Sequence, residues 1–190
     1  NELSFKRRLA IKTLTEKVPD ILVQLGMSNA LFDISIKRVS LSMLGQDDIC
    51  FLFTANKGSS LSEIKKVASG GELSRLVLAI KYVTAQSDNI PTLIFDEIDT
   101  GVSGEIASLM SDLMIKISKN SQLIAVTHLP QIAAKSDVHI KVLKKQVNDR
   151  DLIDVNILSE KDRLEEIAKL LSGKIISDAA YRNAEQLLNH

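Results

Sequence analysis

The sequence predicts an α/β fold: a mainly parallel sheet with flanking helices and a small antiparallel hairpin near the N-terminus. Three observations predict it. Two short apolar runs, Thr92 to Phe95 and Leu123 to Val126, are separated by a stretch from Ser103 to Ser118 with apolar residues at helical spacing. Strand, helix, strand in that order is a βαβ unit, expected to pair its strands in parallel through a right-handed crossover. Ahead of it, Phe32, Ile34 and Ile36 alternate with Asp33, Ser35 and Lys37, the period of a half-buried strand. After it, two further helical segments close the chain, at about 161–172 and 178–189.

In chain order, Leu3, Ala10, Leu14, Val18, Ile21 and Leu25 form one helical stripe. Pro19 is expected to kink that helix or to start a second one, and Gly26 to cap its C-terminus. A hairpin follows over roughly 31–55, with Gln46-Asp47-Asp48 as its turn and Ile49 to Phe53 as its second strand. Asn56 to Ser60 reads as a loop. Leu73, Leu76, Val77, Ile80 and Val83 share a helical face, which Asp88-Asn89 breaks before Pro91 introduces the first parallel strand. In the crossover helix Ile106, Leu109, Met110, Leu113 and Ile117 form the inner face, with Ser103 as N-cap. Leu123 to Val126 reads as a second buried strand. A short helix over 129–135 and strands over 138–143 and 152–158 follow, the strands joined by the charged turn Asn148 to Asp151. No repeat or low-complexity linker divides the chain, so residues 1–190 read as one domain.

Composition limits the function classes. With 190 residues the chain is long enough for a substantial core. Lys+Arg and Asp+Glu are each 24, so the global charge gives no argument for nucleic acid. Its 4% aromatic content does not suggest base stacking. The basic clusters Lys6-Arg7-Arg8, Lys65-Lys66 and Lys144-Lys145 read as solvated faces. The single cysteine, Cys50, excludes an internal disulfide framework and reads as a buried, inert thiol. No membrane span or signal peptide is visible, which leaves the cytoplasm as the default and no membrane partner. His139 and His190 have no companions at metal-ligand spacing, so no zinc is assigned.

The chemistry concentrates in Ser69-Gly70-Gly71-Glu72-Leu73-Ser74-Arg75 and in Asp96-Glu97. A Ser-Gly-Gly turn lets a ligand approach the backbone closely, and the helix that follows presents unpaired N–H groups and a positive dipole end to it. Thr92 to Phe95 delivers two carboxylates at a strand's C-terminal end, where open α/β sheets keep their ligand sites. Adjacent strand residues point to opposite sides, so both acids serve one site only if the backbone turns there. Taken singly, each part has an ordinary reading: a capped turn, a pair of surface acids, a strand-to-helix loop, a lone histidine. Arg75, one turn into its helix, is left to pair with an acid or to face DNA.

In order along the chain, SGGELSR, TLIFDEIDTG and a later strand ending in Thr127-His128 resemble the C-terminal lobe of an ABC-type P-loop ATPase head of the SMC-like kind. The likeness covers about Leu3 to Leu188, including LGMSNALFDI, VTHLPQIAAKSDVHIKVLK and the terminal EEIAKLLSG and NAEQLL. It implies a bacterial, nucleoid-associated protein of DNA double-strand-break repair and recombination, acting on DNA through the full-length protein. Asp96 would then hold Mg2+, and Glu97 would position the attacking water. His128 would be the switch histidine at the γ-phosphate. Ser69, Gly70, Gly71 and Glu72 would form the signature that reaches ATP held by a second, identical head, and Asp99 would open the loop of contacts between heads. Residues 1–26 would be the returning end of a coiled coil and 27–190 the head lobe.

A phosphate-binding loop needs Gly-x-x-x-x-Gly-Lys-Ser/Thr. Of the eight glycines only Gly173 precedes a lysine, and Ile175 follows where Ser or Thr is required. The chain also lacks an initiator Met. It therefore reads as a fragment whose partner is the N-terminal Walker A half of the same protein, and it is expected to be inactive alone. Two alternatives stay open: an ATP-gated DNA tether in which hydrolysis is secondary, and a different SMC-like repair head.

Overall fold

The computed structural model describes residues 1–66, 69–87, 90–147, 150–173 and 175–189. They form two compact units, Asn1–Val126 and Thr127–His190.

In the first unit a long helix α1 (Glu2–Gln24) lies against a hairpin of β1 (Leu31–Ser42) and β2 (Gly45–Thr54). α1 runs unbroken through Pro19, and its apolar stripe is buried only toward the C-terminal end, at Val18, Ile21, Leu22 and Leu25. Leu3, Phe5 and Leu9 stay exposed. Gly26 follows as expected, with φ +76°. Met27 N–H donates to Leu22 O at 2.9 Å and Gly26 N–H to Val23 O at 3.1 Å, the paired bonds of a Schellman cap.

The turn expected at Gln46-Asp47-Asp48 lies elsewhere. Those residues pair within β2, and the chain reverses at Met43-Leu44 between the opposed Ser42 and Gly45. The reason is tertiary. Ser4 Oγ and Arg7 Nη1 of α1 donate to Asp47 Oδ2 at 2.7 and 3.1 Å, so this acid is held against the helix. Arg7 is therefore ion-paired and largely covered, whereas Lys144 and Lys145 pair with Asp151 and Asp154 on an exposed face, as expected. Cys50 is half-buried rather than buried, in a strand fully covered only at its end, Phe53 and Thr54. A two-residue strand β3 (Ser62–Glu63) adds to the hairpin's β2 edge, and a single 3₁₀ turn, Ile64–Lys66, leads toward the next helix.

The helix α2 (Gly70–Ser87) buries Leu76, Leu78, Ala79 and Val83, while Val77 faces out, so the inner face sits one position further round than the periodicity placed it. The expected break at Asp88-Asn89 lies outside the described residues. β4 (Thr92–Asp96), α3 (Gly104–Ser118) and β5 (Gln122–Val126) make the expected βαβ unit, with β4 and β5 parallel and in register from Thr92↔Gln122 to Asp96↔Val126. α3 turns Ala107, Met110, Leu113, Met114 and Ile117 inward, with Leu109 exposed and Ile106 half-buried. Ser103 is the N-cap position, but its hydroxyl makes no cap bond. The strands are half-buried rather than buried. Leu93 and Phe95 face the core, whereas Ile94, Ile124 and Val126 are exposed, although parallel sheets are ordinarily covered on both faces.

The second unit holds α4 (Pro130–Ala133), a second antiparallel hairpin of β6 (Ile140–Val147) and β7 (Arg150–Ile157), α5 (Glu160–Ser172) and α6 (Asp178–Leu188). Antiparallel pairing thus extends beyond the N-terminal hairpin. Of the expected charged turn, Asn148 and Asp149 lie outside the described residues, while Arg150 and Asp151 already belong to β7. Ala133, Ala134, Ile167, Ala168, Ala180 and Ala184 form the core of this unit, with small side chains that bring α4, α5 and α6 close. Ser159 and Ser177 cap α5 and α6 by accepting from the Asp162 and Ala180 N–H groups. No described helix is long and apolar enough to cross a membrane.

Candidate functional site

Ser69 stands at the N-cap of α2. Its carbonyl accepts from Leu73 N–H at 3.1 Å, and its hydroxyl accepts from Glu72 N–H at 3.5 Å. That second bond is long, so the exposed hydroxyl loses little by turning to an outside acceptor. Gly70 and Gly71 are the first two residues of the helix, whose N–H groups lack intrahelical partners. Gly70 is exposed, Gly71 is buried and Glu72 is half-buried.

Gly71 is buried because another loop lies on it. A Cβ at Gly71 would stand 2.6 Å from Gly101 O and 3.8 Å from Thr100 O, and one at Gly70 would stand 3.9 Å from Thr100 O. Only glycine allows so close an approach of two backbones. The loop that approaches is the one that leaves the Asp96-Glu97 strand end. Thr100 binds back to Glu97 O twice, through its N–H at 3.3 Å and its hydroxyl at 2.9 Å, and Val102 N–H donates to Asp99 O at 3.2 Å. The Ser-Gly-Gly turn and the two acids, far apart in sequence, are joined through Thr100 and Gly101.

At Glu97 the backbone enters the left-handed region, φ +49°, as no other described residue except glycine does. The chain thus turns directly after the last residue of β4, Asp96. A bulky residue held there is strained, and such strain concentrates at functional positions. Asp96 and Glu97 are both exposed. Asp99 is 1% exposed, beneath the loop whose exposed residues are Thr100 and Gly101. His128 belongs to the second unit, where it is exposed and lies within the turn in which Leu129 N–H donates to Thr127 Oγ1 at 3.0 Å.

Arg75, which the sequence left undecided, is committed to the protein itself. Its Nε donates to Gly71 O at 3.1 Å and its Nη1 to Leu25 O at 3.2 Å. No local pattern signals this, because the second acceptor is a main-chain carbonyl of α1.

Among the described residues no group of three or more His, Cys, Asp or Glu side chains stands close enough to hold a metal ion. That is no obstacle to Mg2+, which takes one or two carboxylates and completes its shell with water and substrate phosphate. An exposed Asp96 at a strand end, beside a loop on which Gly71 lies, fits such a donor set.

A RecN of Rickettsia conorii, described as a DNA repair protein, is 42% identical over 189 residues, which are 100% of this chain and 35% of that protein. The chain is RecN-like along its whole length. It spans about a third of the length of the curated relatives it matches and corresponds to their C-terminal part. No family model matches. Among solved structures, an Smc head domain with a coiled coil and joint from Pyrococcus yayanosii has a TM-score of 0.69 at 20% identity, over 90% of this chain and 31% of that one. A chain from work on ATP-driven dimerization and DNA-stimulated activation of SMC ATPases has a TM-score of 0.63 at 18% identity, over 92% of this chain and 100% of that one. The fold of this RecN-like chain is that of SMC head domains.

Proposed function

We propose that this chain is the C-terminal half of an ATPase head in a RecN-like protein, which binds ATP between two identical heads and acts in DNA double-strand-break repair and recombination. The observation that carries the reading is the backbone contact of Gly71 with Thr100-Gly101, in the loop tied back to the strained Glu97. It makes one neighbourhood of a helix N-terminus suited to phosphate and a strand end suited to acid chemistry.

In this reading Glu97 orients the water that attacks the γ-phosphorus, from the turn its left-handed backbone makes at the end of β4. Asp96 would hold Mg2+, whose chemistry when bound is to neutralise charge on the phosphate oxygens. His128 would hydrogen-bond the γ-phosphate. Ser69 Oγ and the N–H groups at Gly70, Gly71 and Glu72 would meet the phosphate of ATP gripped by the second head, so these contacts form only when the heads close. Nucleotide state and dimer state are then coupled through differential contacts. Thr100 and Gly101 would face the other head, with Asp99 supporting the loop from beneath. The N-terminal Walker A half would cover the exposed face of Ile94, Ile124 and Val126, and α1 would continue into a coiled coil. The protein would act in the cytoplasm at the nucleoid, reaching DNA through its full length.

The test is ATP hydrolysis by this chain alone, and by this chain co-expressed with the segment that carries the phosphate-binding loop, each with Glu97 and with Glu97→Gln. An inactive chain that gains Glu97-dependent turnover from its partner segment supports the reading. Turnover by the chain alone, or turnover in the pair that ignores Glu97→Gln, overturns it. An ATP-gated tether would instead keep DNA association in the Glu97→Gln pair and lose it on substitution of Ser69 or Gly71.

A further inference from the structure

The C-terminus of α1 is completed by residues of two other helices. Its cap bonds use the carbonyls of Ile21, Leu22 and Val23, and Arg75 of α2 supplies the donor to Leu25 O. The same guanidinium holds Gly71 O, in the first turn of its own helix. Gly26, the left-handed residue of the cap, lies beside α3. A Cβ there would stand 2.9 Å from Ile106 Cδ1 and 4.0 Å from Arg75 Nη1. α2 begins at the Ser-Gly-Gly turn, and α3 begins just after the Thr100-Gly101 loop. The end of α1 therefore packs on the helix that begins at the Ser-Gly-Gly turn, and Gly26 lies beside Ile106 of the helix that follows the Thr100-Gly101 loop.

We infer that Arg75 is a positioning residue, fastening the C-cap of α1 to Gly71 so that the orientation of α1 sets the placement of the Ser69-Gly71 turn on the Thr100-Gly101 loop. This deepens the ATPase reading and rests on it. A guanidinium is a rigid planar fork, so its two bonds cannot both survive a rotation of α1 against α2. Its positive charge also complements the negative end of the α1 dipole. Lysine keeps the charge but not the fork. Rotation of α1 therefore pulls on the carbonyl of Gly71, the residue at which an added Cβ would stand 2.6 Å from Gly101 O.

The experiment uses the complete RecN-like protein with Arg75→Lys, Gly26→Ala and the double variant. Amide exchange is followed at 22–27 and 70–74, beside kcat and KM for ATP. Arg75→Lys is expected to speed exchange in both segments, although the bridged residues are 50 apart in sequence. Misplacing the turn should lower kcat about ten- to a hundredfold. KM should stay within about twofold, because ATP gripped in the same head does not use this turn. Gly26→Ala should act similarly, and the double variant should be no slower than the slower single one, as for groups acting through one joint. Unchanged exchange at 22–27 in Arg75→Lys overturns the inference, as does unchanged kcat, a rise in KM alone, or losses in kcat that multiply in the double variant. If Arg75→Lys loses its cooperative melt, the same measurements on Gly26→Ala decide the matter: faster exchange at 70–74 with a lower kcat supports the inference, and no change in either overturns it. Wild-type turnover and Glu97→Gln, run alongside, report separately on the ATPase reading, since exchange is measured without turnover.

Discussion

Replacing Gly71 by alanine tests the contact on which the site is built. The new Cβ would stand 2.6 Å from Gly101 O and 3.2 Å from Gly101 C. Ordinary contact begins at 3.4 Å, so the backbones must part by about 0.8 Å, the difference between 3.4 and 2.6 Å. Neither atom belongs to a flexible side chain, and overpacking of this kind costs about 1–3 kcal/mol. Alanine in place of glycine in a helix returns up to about 1 kcal/mol, less in the first turn. The net loss is about 1–2 kcal/mol, which for a chain of this size lowers the melting temperature by about 2–8 °C. Gly70→Ala is the matched control: its Cβ would meet only Thr100 O, at 3.9 Å, so it should melt at or slightly above the wild type. Thermal unfolding of both variants, followed by circular dichroism, separates them. A Gly71→Ala variant that melts with Gly70→Ala refutes the reasoning, because the Thr100-Gly101 loop would then yield freely and would not hold the two motifs together.

Three further outcomes are expected. Glu97→Gly removes the cost of a left-handed side-chain residue and should stabilise the chain by up to about 1 kcal/mol while abolishing hydrolysis by the complete protein; a lower denaturation midpoint would rule out strain at Glu97. Burial holds the His139 imidazole below its ordinary value, Arg163 and Lys141 push the same way, and Glu166 opposes them. The unfolded chain then takes up a proton first, so stability is full above about pH 6.5 and is lost as pH falls through the lower folded value, a fall that His139→Gln should flatten in urea titrations at pH 7.5 and 5.5. The Ser4 hydroxyl, aided by Arg7, holds the Asp47 carboxyl below its ordinary value even though burial acts the other way. Its contribution is present above the unfolded value near 3.9 and is lost as pH falls through the folded one, so Asp47→Asn should lower the melting temperature more at pH 7 than at pH 2.5.

The elements were legible wherever periodicity was unambiguous. The βαβ unit, the hairpin strands and both terminal helices stand close to where the pattern places them, and Gly26 caps α1 as a glycine after a helix should. The misplaced hairpin turn has a specific cause. Gln46-Asp47-Asp48 has the composition of a turn, but Asp47 is polar because Ser4 and Arg7 bind it. The inner faces of α2 and α3 were displaced by about one residue because Leu78 and Met114 are buried in place of Val77 and Leu109. Periodicity fixes the spacing of a face but leaves its exact rotation to the neighbours.

Sequence by itself singled out the candidate site residues. Ser-Gly-Gly-Glu before a helix and Asp-Glu after an apolar strand are local patterns, since caps, turns and strand ends are set by nearest neighbours along the chain. Only the tertiary structure decided how these pieces meet. That Gly71 must be glycine because Gly101 O lies on it and that Arg75 closes the end of α1 are both consequences of contacts between residues distant in sequence. Such contacts depend on which helix face turns inward and how closely two backbones approach, and neither leaves a periodic mark in the chain.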